Sequence, residues 1–189
     1  MTAIDERHID RLLRRARKGD AEAFARIYDI YVDRVYAYAY ARLNDRHEAE
    51  DVTETVFLKA FEAIRTYDRR GVPFGAWLFR VARNATIDHV RRLERVPRPT
   101  EDIAERVGPD PVTLEEYVVA RVDSGVVRAA IMRLTDEQAS VIACRFFWDM
   151  DVRETARALE KTEGAVKALQ HRALRSLARI LEEMGDDGS

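Results

Sequence analysis

Along most of the chain apolar residues return at steps of three and four, the period of an amphipathic helix, and this predicts an all-α protein. Ile9, Leu12, Leu13 and Ala16 share one face of a first helix over 4–16, which Gly19 can terminate. Asp20 is placed to cap a second helix over 21–43, with Phe24, Ile27, Tyr28, Tyr31, Val35 and Tyr38 on the period. Four tyrosines fall between Tyr31 and Tyr40. Such a stripe can stack bases, but Tyr buries its ring and keeps its hydroxyl wet, so core and boundary packing is the expectation. Asn44 breaks the second helix, and Asp45 with Glu48 has the spacing of an N-cap and its capping-box partner. The third helix runs to about Ile64 with Val52, Val56, Ala60 and Phe61 facing inward. A polar connector with a turn glycine, Tyr67 to Val72, leads to a fourth helix from Pro73 to Arg95. Pro73 suits its first position, and Phe74, Trp77, Leu78, Val81 and Ala85 form its buried stripe.

The periodicity then stops. Val96 to Pro111 holds four of the five prolines and reads as a linker, with a short helix over 113–122 beyond it. It returns as four further helices: 125–133, one opened by the capping pair Thr135 and Gln138 and carrying Val141, Ile142 and Phe146, a short one over 152–159 opened by Asp151 and Glu154, and a long one capped by Thr162 and running to about Glu183. The chain is therefore expected to form two small helical domains, 1–96 and 125–185, joined by a Pro-containing linker over 97–124.

Charge sharpens this outline. The 189 residues carry a net charge of −2, so any affinity for nucleic acid must come from local clusters. One such cluster is in the fourth helix: Arg80 to Arg98 contains six arginines against Asp88 and Glu94, a balance of +4. The first half of the third helix is the opposite, with Asp45, Glu48, Glu50, Asp51 and Glu54 against Arg46, or −4. That is more acid than a helix N-terminus needs, and it suits either a solvated face or a protein-docking face. The linker is acidic too, with seven acids against two arginines between Pro99 and Ser124.

Other classes of function find little support. The single cysteine, Cys144, cannot close an internal disulfide and fits a structural thiol in a reducing cytoplasm. No apolar run reaches the roughly 18 to 20 residues of a membrane span, so no membrane insertion is expected. His8, His47, His89 and His171 are far apart, and neither an HExxH, a paired CxxC nor a phosphate-binding glycine loop is present. Neither catalysis nor a metal or other cofactor is expected.

Asp151 to Leu177 has the layout of a helix-turn-helix. Ala156 sits where two helices would cross closely, Leu159 ends the first, Thr162 caps the second, and Val166 and Leu169 turn inward. The second helix has a basic free face, Lys167, Arg172, Arg175 and Arg179, opposed only by Glu163. In such a motif the N-terminal part of the second helix enters the major groove, which makes Thr162, Glu163, Lys167, Gln170, His171, Arg172 and Arg175 candidates for base or phosphate contact. An ordinary helical hairpin with a solvated basic face, or a conventional helix-turn-helix regulator that binds duplex DNA unaided, would share these features.

Three blocks, AEDVTETVFLKAFEAI at 49–64, FGAWLFRVARNATIDHVRR at 74–92 and LTDEQASVIACRFFWDMDVRETARALEKTEGAVKALQHRALRSL at 134–177, resemble in order and spacing those of the extracytoplasmic-function sigma factors, the group 4 members of the bacterial sigma-70 family. The resemblance implies a two-domain initiation factor, region 2 and region 4, that binds core RNA polymerase and directs promoter recognition and strand opening. It implies that Asp51, Glu54, Thr55 and Lys59 lie on the face that docks on the β′ clamp helices, although Glu54 and Thr55 stand where the family has Gln and Glu. It implies that Tyr67 and Asp68 belong to the loop that captures a flipped base of the minus-10 element. On the helix that follows, Arg80, Arg83, Asn84, Asp88, Arg91 and Arg92 would hold the displaced strand. Base capture recovers about 1–3 kcal/mol per stacked base. Asp88 can accept from a base amine or orient an arginine, and the cost of an acid beside phosphate favours the second.

By the same resemblance the C-terminal motif reads the minus-35 element and contacts the β flap, the linker threads toward the polymerase active site, and an anti-sigma factor is an expected partner. The helix-turn-helix departs from the family in its turn, where Glu160 and Lys161 replace a glycine and an apolar residue. A non-glycine residue in the left-handed region costs about 1–2 kcal/mol, so the turn is expected to be strained or to use another geometry.

Overall fold

The computed structural model describes residues 6–67, 71–94 and 125–186. The expected linker over 97–124, its short helix and Asp68 lie outside the described residues. Eight α-helices make up the described chain: α1 Glu6–Ala16, α2 Ala21–Leu43, α3 Arg46–Ala63, α4 Phe74–Glu94, α5 Gly125–Met132, α6 Asp136–Ile142, α7 Val152–Leu159 and α8 Glu163–Asp186. α6 continues into a π-helical turn, Ala143–Phe147. No helix among the described residues is long and apolar enough to cross a membrane.

The ends of the helices follow local chemistry. Gly19 leaves α1 at φ +90°, and Asp20 accepts from the Ala23 N–H at 3.1 Å while holding Arg15 at 2.7 Å. Asn44 closes α2 in the left-handed region at φ 49°, donating its N–H to Tyr40 O. Asp45 caps α3, and the Glu48 carboxylate is hydrogen-bonded to His89 of α4, tying the two helices together. Both capping boxes of the C-terminal part are formed, Thr135 with Gln138 and Asp151 with Glu154. Pro73 stands one place earlier than expected: its carbonyl accepts the first helical bond of α4, from Trp77 N at 3.1 Å.

α1 to α4 pack around Ile9, Ile27, Tyr31, Val35, Tyr38, Val56, Phe74, Leu78 and Phe79. Two expectations fail here. Phe61 and Tyr28, assigned to the inward stripes of their helices, are 54% and 40% exposed, because among the described residues no further helix lies across the outer side of the α2–α3 layer. Phe57, one turn before Phe61, is the buried aromatic.

α5 to α8 form a second core around Val127, Ile131, Val141, Ile142, Cys144, Val166, Leu169, Ala173 and Leu177. Burial pushes the Cys144 thiol pKa up, consistent with a structural thiol.

The two groups of helices pack directly on each other, and Trp148 is the wedge between them. Its ring, 2% exposed, lies 5.9 Å from Tyr31 of α2 and 5.3 Å from Phe79 of α4, centroid to centroid, and its carbonyl accepts from the buried Arg34 at 2.8 Å. Farther along α2, Arg42 pairs with Asp136, and Arg128 of α5 lies over the Tyr40 ring at 4.7 Å.

Candidate nucleic-acid and polymerase interfaces

α4 presents its basic residues in two groups. Asn84, Asp88, Arg91 and Arg92 are exposed, one turn after another, on the half of the helix that leads toward the linker. Among the described residues no ion pair holds Asp88. Arg80 and Arg83 sit earlier, where α4 faces the C-terminal helices. Arg80 donates to the Glu160 carboxylate at 2.8 Å and to the Arg157 carbonyl, and Arg83 donates through Nε to Ser140 Oγ at 2.9 Å. The Arg80 Nε is buried and finds no partner among the described residues. Ahead of α4, the ring of Tyr67 is buried against Phe74 and Trp77 at 5.4 and 5.1 Å, and its hydroxyl donates to Val72 O at 3.0 Å. Tyr67 is therefore tied to Val72 through its hydroxyl and to the start of α4 through its ring.

α7 and α8 form the helix-turn-helix. Ala156 and Ala158 are buried, as are Val166 and Leu169 on α8. The turn uses the left-handed geometry: Glu160 has φ 54° and ψ 42° and donates its N–H to Ala156 O. Thr162 accepts from Ala165 N at 3.2 Å and so caps α8. Glu163, Lys167, His171, Arg172 and Arg175 are exposed. Gln170 is half-buried and accepts from Arg145 Nε at 3.3 Å, an arginine that also reaches Met150 O, so this candidate base contact is braced from behind. Lys161 is paired with Glu137 at 2.7 Å. The sequence expectation for Glu160 is thereby met on its strained side.

The third surface is on the outer side of α2 and α3. Asp51, Glu54 and Lys59 are exposed on α3, with Thr55 half-buried. Beside them runs a groove of about 630 Å³ floored by Phe24, Tyr28, Phe57, Leu58 and Phe61 and rimmed by Asp33, Glu50 and Glu54. Leu58 is 56% exposed. An exposed apolar strip with an acid rim marks a protein-docking site more firmly than the acid alone. Sequence reasoning found the acid and missed the groove. Period alone fills a stripe inward, and only the arrangement of neighbouring helices shows which end of it is left uncovered.

Comparison with known proteins assigns these surfaces a common context. Residues 27–96 match the family model for sigma-70 region 2, and residues 130–179 that for sigma-70 region 4. The chain belongs to the extracytoplasmic-function sigma factors of RNA polymerase. Its relatives include the sigma factor BldN of Streptomyces coelicolor, 39% identical over 183 residues that cover 95% of this chain and 68% of BldN. SigW of Bacillus subtilis is 31% identical over 95% of this chain and its own full length. Among solved structures, CnrH in complex with the cytosolic domain of CnrY has the same fold, at a TM-score of 0.68 and 23% identity, over 95% of this chain and 99% of that one. The sigma factor is thus a transcription initiation factor acting with core polymerase on promoter DNA, and the reading as a conventional regulator that needs no polymerase is set aside.

Proposed function

We propose a division of labour among the residues of this sigma factor. The groove between α2 and α3 docks on the β′ clamp helices, with Leu58 and Phe61 as apolar anchors and Asp51, Glu54, Thr55 and Lys59 around them. The exposed end of α4, Asn84, Asp88, Arg91 and Arg92, together with Arg80 and Arg83 when they are free, holds the displaced minus-10 strand. The loop braced by Tyr67, with Asp68, receives the flipped base. α8 reads the minus-35 element through Glu163, Lys167, His171, Arg172 and Arg175, with Thr162 fixing its entry and Gln170 its depth. In this scheme 1–96 is the docking and melting unit, 125–185 is the duplex-reading unit that also meets the β flap, and 97–124 is the linker between them.

The observation that carries the reading is the combination on one chain of a basic strand-holding helix, a basic recognition helix and an acid-rimmed apolar groove on a separate face. A duplex-binding regulator needs only the second. The chain acts in the cytoplasm, where polymerase and promoter are, and has no catalysis of its own. An anti-sigma factor is its expected regulator, a reading helped by the structure of the sigma factor RpoE in complex with the anti-sigma factor NepR from Bartonella quintana, which shares the fold. The test is a footprint on a candidate promoter with and without core enzyme. Protection that is sequence-specific only with core, and weak and salt-sensitive without it, is expected. Equal specific protection by the free chain would contradict the reading.

A further inference from the structure

We propose that Arg145 sets what Gln170 reads. By holding the amide oxygen of Gln170 it leaves only the amide NH2 to the major groove, so this residue of α8 selects a base-edge acceptor, guanine foremost, over adenine. The inference deepens the role given above to α8 and rests on it. Gln170 stands in one column with Glu163 and Lys167, at steps of four and three along α8, on the border between the buried stripe of Val166, Leu169 and Ala173 and the exposed face. It is half-buried, and its Oε1 accepts from Arg145 Nε at 3.3 Å.

Arg145 is itself fixed in place. It lies in the π-helical turn Ala143–Phe147, where Trp148 N reaches back five residues to Ala143 O at 3.0 Å. Its Nη1 donates to the carbonyl of the buried Met150, the residue before Asp151, the N-cap of α7. One guanidinium therefore joins the π turn, the entry to the helix-turn-helix and the recognition helix. A guanidinium only donates, so the Gln170 amide has a single orientation toward it, with the oxygen facing Arg145 and the nitrogen facing away. That outward Nε2 makes no hydrogen bond among the described residues, and it is not buried.

The orientation decides the chemistry. A free glutamine pairs with adenine by donating to N7 and accepting from N6, and it needs both ends of the amide to do so. On Gln170 the accepting end is engaged by Arg145, so this two-bond match is lost. The remaining NH2 carries two protons, and guanine presents two adjacent acceptors, N7 and O6, on one edge. Adenine N7 and thymine O4 offer one acceptor each, while the cytosine amine is a donor and is rejected. Guanine therefore ranks first and cytosine last. Arg145 is a positioning residue in this scheme, acting on the base only through Gln170.

The test selects duplexes with the holoenzyme, core polymerase plus the full chain, from a promoter pool whose upstream element is randomised. The bound DNA is sequenced, beside a thermal melt of each variant. The parent should enrich guanine at one position that Gln170→Leu makes indifferent, a loss of about 5- to 150-fold in preference, the range of one good bidentate contact. Gln170→Glu keeps an acceptor for Arg145 and turns an acceptor to the groove, so the same position should switch to cytosine. Arg145→Met frees the amide to present both ends, and adenine should rise to rival guanine there while the other positions hold. Arg145→Lys, still a pure donor, should restore guanine. A purely structural brace would instead weaken every position alike and lower the melting temperature. An unchanged guanine preference in a folded Arg145→Met variant, or no switch to cytosine in Gln170→Glu, would overturn the inference and leave the role of α8 intact. If Arg145→Met does not fold, the Gln170→Glu switch decides. No enriched element with the parent would overturn the role of α8 and the inference with it.

Discussion

Truncating the groove at Leu58 and Phe61 separates docking from folding. Both side chains are more than half exposed in the free chain, at 56% and 54%. A large aromatic buries about 150–250 Å² when covered, so roughly 100 Å² of Phe61 awaits a partner, worth about 2.5 kcal/mol at about 25 cal/mol per Å². Leu58 has somewhat less to gain, and alanine keeps part of each, so the double variant Leu58→Ala with Phe61→Ala should lose about 2–4 kcal/mol of binding to core polymerase. That is about 30- to 700-fold in Kd. The cost to folding should be much smaller. Phe61 meets Phe24 edge to face at 5.0 Å, and losing that pair costs about 0.5–1.5 kcal/mol, while an exposed Leu58 contributes within about 0.5 kcal/mol. The assay is a titration of the labelled sigma factor with core enzyme followed by fluorescence anisotropy, beside a thermal melt. A double variant that is folded and binds core within about twofold of the parent would refute the docking role of the groove.

Reversing Asp51 and Glu54 to Lys should weaken core binding most at low ionic strength, with the difference shrinking as salt is added, since both carboxylates are exposed; an anisotropy titration across salt checks this. Gly75→Ala should destabilise the fold by about 1 kcal/mol in a thermal melt. Its Cβ would lie 3.3 Å from the Tyr31 hydroxyl, a ring held between Phe74 and Trp148, and overpacking of about 1–3 kcal/mol exceeds the roughly 1 kcal/mol gained in helix propensity. Alkali should unfold the chain cooperatively. Burial pushes Tyr38 up to about 12, against the pull of Arg42, and raises Tyr31 and Cys144 as well. Each of the three keeps its proton longer folded than unfolded, so their contribution is full below the unfolded values of 9.0 for Cys144 and 10.0 for the tyrosines and is lost as pH rises past them. A chemical-denaturation series from pH 8 upward should show falling midpoints, and a flat series would contradict these burials.

The helices and their caps were legible because their causes are local. Asp20, Asn44, Thr135, Asp151 and Thr162 each act within about four residues, and the stripe of α1 lies where the pattern put it, while on α4 Phe74, Leu78 and Ala85 are buried, Trp77 and Val81 are half-buried, and Phe79 and Ala82 join the core from beside the stripe. The site was legible in its charges and illegible in its shape. Phe57 and Phe61 fall on one stripe four residues apart, yet one is 5% and the other 54% exposed, and no local signal distinguishes them. The contacts between the two helical groups were hidden for the same reason. Arg34 finds its acceptor 114 residues away and Arg80 finds Glu160 80 residues away, so neither arginine's partner could be named from its neighbours. The turn at Glu160 was visible as a departure from the family, but its ion pair with Arg80 appears only in the packed structure.

Run-off transcription with purified core enzyme on a fragment library of the source genome, with the RNA 5′ ends sequenced, tests the central claim most directly. Transcripts that start at a discrete set of sites sharing two upstream elements, and that appear only when this chain is added, are the predicted result. Start sites identical with and without the chain would contradict it.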